Sequence, residues 1–341
     1  MTAPLDAPES AQQADPEAIA RGARNVASRS LTQIAWQRLR RDKIAMIAGL
    51  IVLLLILAAV FAPLLVKWFG YPPTEFNQAP IDPATGGVYK DPDNPFAGID
   101  KTGGISWDHL LGLEPKTGRD LFSRILYGAQ ISLLVAFLST ILCVFIGTVL
   151  GIIAGYVGGW VDTVISRAMD IFLAFPLLLF AIALVGVIPD SAFGLTGNGL
   201  RVGLIVFIIG FFNWPYVGRI VRGQTLTLKE REFVEAARSL GASNRHILFR
   251  ELLPNLLTPI LVYATLLIPT NILFEAALSF LGVGISPPTP TWGRMLSEAL
   301  PYYTTSPHFV IIPGVAIFIT VLAFNLFGDG LRDAFDPRSS D

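Results

Sequence analysis

The sequence predicts an all-α membrane protein that crosses the bilayer six times, and three observations predict it. Hydrophobic residues make up 52% of the 341 and charged residues 15%, with a mean hydropathy of +0.58. A soluble domain carries about 25% charged residues. A hydrocarbon core of about 30 Å takes about 20 apolar residues in a helix. Six segments qualify: Ile44–Val66, Ile131–Tyr156, Ile171–Ile188, Leu200–Val217, Thr258–Val283 and Phe309–Phe327. Finally, the loops between them divide the 25 Lys and Arg residues unevenly, seventeen on one side and eight on the other. The richer side is expected to be cytoplasmic, which places both termini there.

The elements follow in order. Residues 1–30 are rich in Ala, Pro, Gln and Glu and almost free of bulky apolar groups, so they are expected to be a disordered cytoplasmic segment. About forty residues precede the first apolar run and no small-residue cleavage pattern follows it, which argues against a secretory signal and for a retained first span. Within residues 31–66, Leu31, Ile34, Ala35 and Leu39 recur at helical spacing, with Trp36 beside them and Arg38, Arg40, Arg41 and Lys43 following. That pattern reads as an amphipathic helix on the inner membrane surface, or as a basic anchor for the first span.

Residues 67–128 are expected to lie outside. Their first part is dense in Pro and Gly with no helical period, hence a long loop. The segment after His109 puts Leu121, Ile125 and Leu126 on one face and Arg119, Asp120 and Arg124 elsewhere, as a solvated interfacial helix would, with Asp120 and Arg124 at i, i+4. The remaining five spans fill residues 129–328, and residues 329–341 form a cytoplasmic tail. Prolines 176, 215 and 269 are compatible with spans, because neighbouring helices can satisfy freed backbone groups. The lone Cys143 sits in an apolar run and is expected to be a buried, inert thiol.

Between the fourth and fifth spans lies a polar stretch, about residues 225–255. Thr227 and Glu230 fit a capping box for a helix on which Phe233, Ala236, Ala237 and Leu240 form one apolar stripe. Gly241 can end that helix in the left-handed conformation, and Ser243 can cap a second one running up to Pro254. Two short helices hinged at a glycine make a compact knob. The small side chains of Ala236 and Ala237 permit close approach and Glu235 offers a charge. Such a knob either docks a partner or folds back on its own bundle.

Among ionisable residues near the spans, Glu275 stands out, since a carboxylate facing lipid is costly. It reads as a pore-lining or gating contact, or as a hydrogen bond that fixes neighbouring helices. Arg167 and Asp170, one turn apart, suit a local ion pair. Trp292, after Pro287, Pro288 and Pro290, reads as an interface anchor or as part of a rigid element at the pore mouth. No catalytic site emerges: His109, His246 and His308 are scattered, no metal-ligand spacing occurs, GxxxxGK[ST] is missing and Ser279 has no histidine near it. The charge pattern follows topology and does not form a nucleic-acid-binding face.

These pieces together resemble a known family. Glu235-Ala236-Ala237, three residues, Gly241, nine residues and Glu251-Leu252-Leu253-Pro254 resemble the EAA loop of ABC importer permeases, with Glu251 where the general consensus has isoleucine. LG-x5-GRD-x2-SR-x3-G at Leu111–Gly128, GY-x-GGW-x-D at Gly155–Asp162, RIVRGQTL from Arg219, ILFEAALSFLG-x-G at Ile272–Gly284, PPTP-x-WG at Pro287–Gly293 and FN-x2-GDGLRDA-x-DP at Phe324–Pro337 narrow the resemblance. From about Trp36 onward the chain is similar to the C-type permease of bacterial oligopeptide and dipeptide importers. RIVRGQTL and ILFEAALSFLG look more like the oligopeptide version, and Leu113-Glu114 stands where the family usually reads Thr-Asp.

The resemblance implies a type I ABC importer permease fold in the bacterial inner membrane and no catalysis by this chain. It implies a heterodimer with a homologous B-type permease, two cytoplasmic ATPase subunits or domains that carry ATP-Mg, and an extracytoplasmic peptide-binding protein. It assigns ATPase coupling to Phe233, Glu235, Ala236, Ala237, Leu240 and Gly241, and makes Glu275, Ser279, Phe280 and Trp292 candidates for the pore or gate. The rival class is a proton-coupled secondary transporter with Glu275 as relay, which calls for inverted repeats and several midplane charges.

Overall fold

The computed structural model describes residues 31–335 apart from Pro92, Asp190 and Phe193. The expectations for residues 1–30 and for the end of the tail fall outside the described residues. A basic helix, α1 (Leu31–Arg41), leads into α2 (Lys43–Val60), which Asp42 caps by accepting from the amides of Ile44 and Ala45. A short α3 (Ala62–Phe69) completes the first span. After a loop holding the two-residue strands β1 (Val88–Tyr89) and β2 (Ile99–Asp100), α4 runs unbroken from Leu121 to Val157. The 37 residues of α4 extend about 55 Å at 1.5 Å per residue.

The third span is not straight. α5 (Gly159–Ala174) and α6 (Leu177–Val187) meet at an 80° bend where Pro176 interrupts the backbone ladder, so the expected span at Ile171–Ile188 straddles an elbow. A hairpin of β3 (Ser191–Ala192) and β4 (Leu195–Thr196) leads to α7 (Gly197–Leu228), then α8 (Glu232–Ser239). A single turn at Asn244–His246 passes through π-helical Ile247–Leu252 into α9 (Leu253–Phe280). α10 (Trp292–Ala299) and α11 (His308–Phe335) finish the described chain. Among the described residues five helices are long and apolar enough to cross a membrane, or six if the bent pair is one span.

The bundle is apolar on its outside as well as within. On α2 the buried positions are Ala45, Ala48, Val52 and Ala59, while Ile44, Ile47, Leu50 and Leu54 are exposed. Small residues inside and large ones outside suit a helix whose solvent is lipid and whose partners are held by close packing. α4 is the central helix. On one side Leu121, Ala129, Leu133 and Ala136 pack with α2, α9, α10 and α11; on another, Val135 packs with α6, α7 and α9.

Among the described helices α4 packs most extensively on α7, and glycines every four residues permit the approach. A Cβ on Gly147, Gly151 or Gly155 would come within 2.8, 2.7 or 2.9 Å of the carbonyl oxygens of Trp214, Gly218 and Arg222. The GxxxGxxxG run was present in the sequence as a helix-packing signal. Gly151→Val is expected to destabilise the protein by about 1–3 kcal/mol through overpacking. Thermal unfolding in detergent checks this, with Gly186→Ala, where a Cβ meets open space, expected to leave the midpoint unchanged.

Candidate functional site

Two constructions stand at opposite ends of α4, and neither matches the sequence expectation in full. The first is the knob between α7 and α9. No capping box forms at Thr227, because α7 continues to Leu228 and the Thr227 hydroxyl instead donates back to the Gly223 carbonyl at 3.2 Å. α8 begins at Glu232 without a side-chain cap. Glu232 and Glu235 in its first turn and Arg238 in its last complement the helix dipole.

Gly241, at φ +80°, closes α8 with Ala242 N–H on the Ala237 carbonyl at 3.0 Å. Ser243 accepts from His246 N–H at 3.4 Å, as expected of a cap. The second helix does not stop at Pro254, however. Pro254 lies where the π-helical stretch passes into α9, so it removes one backbone donor from a helix that runs straight from the knob into the fifth span. The π-helical stretch brings residues five apart together. His246 Nε2 lies 3.7 Å from Glu251 Oε1, a partner that an isoleucine at 251 could not supply.

The expected apolar stripe divides. Val234, which sequence reasoning missed, is fully buried against Ile152, Val221, Ile247, Leu252 and Leu256, with Ala237 partly buried beside it. Phe233, Glu235, Ala236, Leu240 and Gly241 face outward, and Leu240 is 88% exposed. Tyr156, in the last turn of α4, grips the knob from the side. Its hydroxyl donates to Asn244 Oδ1 at 2.8 Å, and the Arg238 guanidinium lies over its ring 5.7 Å from the centroid. The knob therefore presents a rigid face with apolar and acidic groups uncovered.

The second construction is a buried ion cluster at the start of α4. The segment expected to be a solvated interfacial helix is instead the first turns of α4 itself, and Arg124 is 1% exposed. Asp120 does not pair with it. Asp120 caps α4, accepting from Ser123 N–H at 2.9 Å and Ser123 Oγ at 2.7 Å, and meets His109 Nδ1 at 3.1 Å. Arg124 turns inward, 3.2 Å from Glu298 Oε2 of α10 and 3.6 Å from Glu114 Oε2, and donates to the carbonyls of Pro73 and Pro288. Arg119 donates to Glu114, and Arg294 donates to Glu298 at 2.8 Å. Glu114 keeps a carboxylate where the family reads Asp, so the substitution preserves the chemistry the cluster needs.

Between these ends lie the pore and gate candidates. Glu275 is fully buried in α9 and accepts from Ser279 Oγ at 2.7 Å. Its other oxygen, Oε2, has no hydrogen-bond partner among the described residues, so the bond that is made lies within α9 itself. Asn271, one turn away, donates to Thr140 of α4 at 2.8 Å. Trp292 is 1% exposed, donates to the Ile125 carbonyl at 3.1 Å and packs over Gly128, so it is locked inside the bundle and is not an interface anchor. Phe280 is 37% exposed. Asp170 meets Arg167 at 3.6 Å and, more closely, Arg219 of α7 at 2.6 Å.

Comparison with known proteins identifies the family and the fold. Residues 147–341 match the model of the binding-protein-dependent transport system inner membrane component, and residues 30–82 match the N-terminal transmembrane domain of oligopeptide transport permease C. The glutathione transport system permease protein GsiD of Shigella flexneri serotype 5b is 46% identical over 303 residues, 89% of each chain. That of Escherichia coli O6:K15:H31 is 44% identical over the same coverage. Among solved structures, the MetNI methionine ABC transporter in inward-facing conformation contains a chain of similar fold, with a TM-score of 0.50 at 20% identity, covering 62% of this chain and 95% of that one. This chain belongs to the binding-protein-dependent inner membrane components and is a non-catalytic, multi-pass permease subunit of an ABC importer.

Proposed function

We propose that this permease serves an importer of small peptides and forms half of the translocation path beside a homologous permease. Two ATPase subunits or domains, loaded with ATP-Mg, bind the knob from the cytoplasm, and an extracytoplasmic binding protein delivers the substrate. Support for the substrate class comes from the match to oligopeptide permease C and from relatives that carry glutathione, itself a tripeptide. Support for the sidedness comes from the Lys and Arg bias, which puts the knob and both termini on the cytoplasmic side.

The observation that carries the coupling assignment is the outward face of α8. Phe233, Ala236 and Leu240 are exposed on a helix whose other side is clamped by Val234 and Tyr156. An apolar patch held rigid beside Glu235 suits insertion into a partner's groove. Movement of the closing ATPases then reaches α7 and α9 directly, since the knob is continuous with both spans. Uptake of labelled glutathione and of a tripeptide into proteoliposomes holding the complete transporter tests the proposal. Vanadate is expected to abolish uptake and a proton uncoupler to leave it unchanged; the reverse pattern sinks ATP coupling, and uptake of neither substrate sinks the peptide assignment.

A further inference from the structure

The bent element formed by α5 and α6 is attached to the rest of the bundle in an unusual way. Of the sixteen residues of α5 only Met169 is buried, its terminal methyl seated over Gly218 of α7. Burial of one side chain does not fix a helix of four turns. What registers α5 on α7 is charge. Arg222 donates through Nε and Nη2 to the two oxygens of Asp162, the second bond measuring 2.6 Å, and Ser166 Oγ donates to Oδ1 at 3.2 Å. Two turns further along α5, Asp170 meets Arg219 at 2.6 Å.

The two pairs are not equal. Asp162 and Arg222 are 20% and 32% exposed, whereas Asp170 and Arg219 are 50% and 53% exposed. A forked, partly desolvated Arg–carboxylate pair holds its geometry where an open one exchanges with solvent. The far end of α5 is held by rings: Phe172 packs edge-on against Phe211, Phe212 and Trp214 of α7, with centroids 5.1 to 5.8 Å apart. Directly beyond comes the 80° bend at Pro176. In the other direction, α7 continues from Arg222 to Leu228 and is followed within four residues by α8.

We propose that Asp162 and Arg222 are a positioning pair that makes α5 move with α7, so that displacement of the knob is delivered to the elbow at Phe175–Pro176 and swings α6. This rests on the knob being the ATPase docking site. α5 then serves as a lever fastened at one end by the pair and at the other by aromatic contacts that continue past the proline break, where Phe175 and Phe180 pack on Phe212, so α6 follows α7 through the elbow.

Charge reversal in the complete transporter tests the role. Asp162→Arg and Arg222→Asp are each expected to lower ATP-driven uptake at least tenfold while ATPase subunits stay bound and continue to hydrolyse, so that the ratio of ATP spent to substrate moved rises. The double exchange, Asp162→Arg with Arg222→Asp, is expected to return uptake to within about threefold of wild type, and Asp162→Glu to retain most of it. The proposal is overturned if either reversal leaves uptake within twofold, if the exchange fails to restore it, or if the reversals shed the ATPase, which would make the pair an assembly contact. Glu235→Arg separates the premise from the inference. If it leaves ATPase retention and uptake intact, the docking site is elsewhere; if it uncouples while the reversals do not, only the positioning role falls.

Discussion

Replacing Gly241 with Asp is expected to reduce ATP-driven uptake by ten- to a hundredfold while the protein still reaches the membrane at normal abundance. The residue sits at φ +80° and closes α8 through the hydrogen bond from Ala242 to the Ala237 carbonyl. A side chain there costs about 1–2 kcal/mol of left-handed strain, and open space around it means the cost is conformational and not a clash. The chain escapes the strain by unwinding the end of α8, which moves Leu240 and the exposed face it belongs to. Glu235→Arg attacks the same face by charge and leaves the backbone alone. Both variants are expected to lose ATPase subunits on co-purification, and Gly241→Ala, which lacks the local hydrogen bonding that lets Asp enter the left-handed region, to lose at least as many. Normal uptake with normal ATPase retention in both would place docking on another surface.

Much of this surface was legible from the residues. Ser243 and Gly241 act locally, through one hydrogen bond and one backbone angle, so their roles survive any tertiary context. The helix start at Thr227 was misplaced because a capping box and a hydroxyl bonded back to the preceding turn use the same residue types. Which one forms depends on whether the upstream helix has ended. Here α7 continues because α4 packs along it through Gly147, Gly151 and Gly155. The inward anchor was missed for a related reason. Val234 adjoins the stripe Phe233, Ala236 and Leu240, and only the position of α4 and α9 decides which side turns in.

The segment around Arg124 shows the opposite error. Three charges within six residues read as solvated, yet Arg119 and Arg124 find Glu114 five and ten residues upstream, and Arg124 finds Glu298 more than a hundred residues downstream. No periodicity reports a pair at that separation. The elbow at Pro176 was likewise hidden, because a proline within an apolar run fits a kinked span and a broken one equally well.

Truncation of Arg124 to Ala is expected to be the most damaging single change to the stability of the fold. The guanidinium is 1% exposed and joins three separate segments: the loop at Pro73, the turn at Pro288 and α10 through Glu298, in addition to Glu114. Removing the guanidinium costs about 3–5 kcal/mol, from the cavity a buried side chain leaves and from the carbonyls of Pro73 and Pro288 that lose their donor, while Glu114 keeps Arg119 and Glu298 keeps Arg294. Arg124→Lys is expected to recover little, since an ammonium is a single point of charge and cannot reach both carboxylates and both carbonyls in fixed directions. The distinguishing variant removes charge on both sides. Because Arg294 still holds Glu298, Arg124→Met combined with Glu298→Gln is expected to unfold at a lower temperature in detergent than Arg124→Met alone. If the double variant is instead the more stable, Glu298 is stranded once Arg124 is gone, and Arg294 does not compensate it. The same measurement bears on function, because α4 carries the cluster at one end and Tyr156 at the other. A loosened start of α4 is expected to weaken stimulation of the ATPase by the binding protein before it affects assembly.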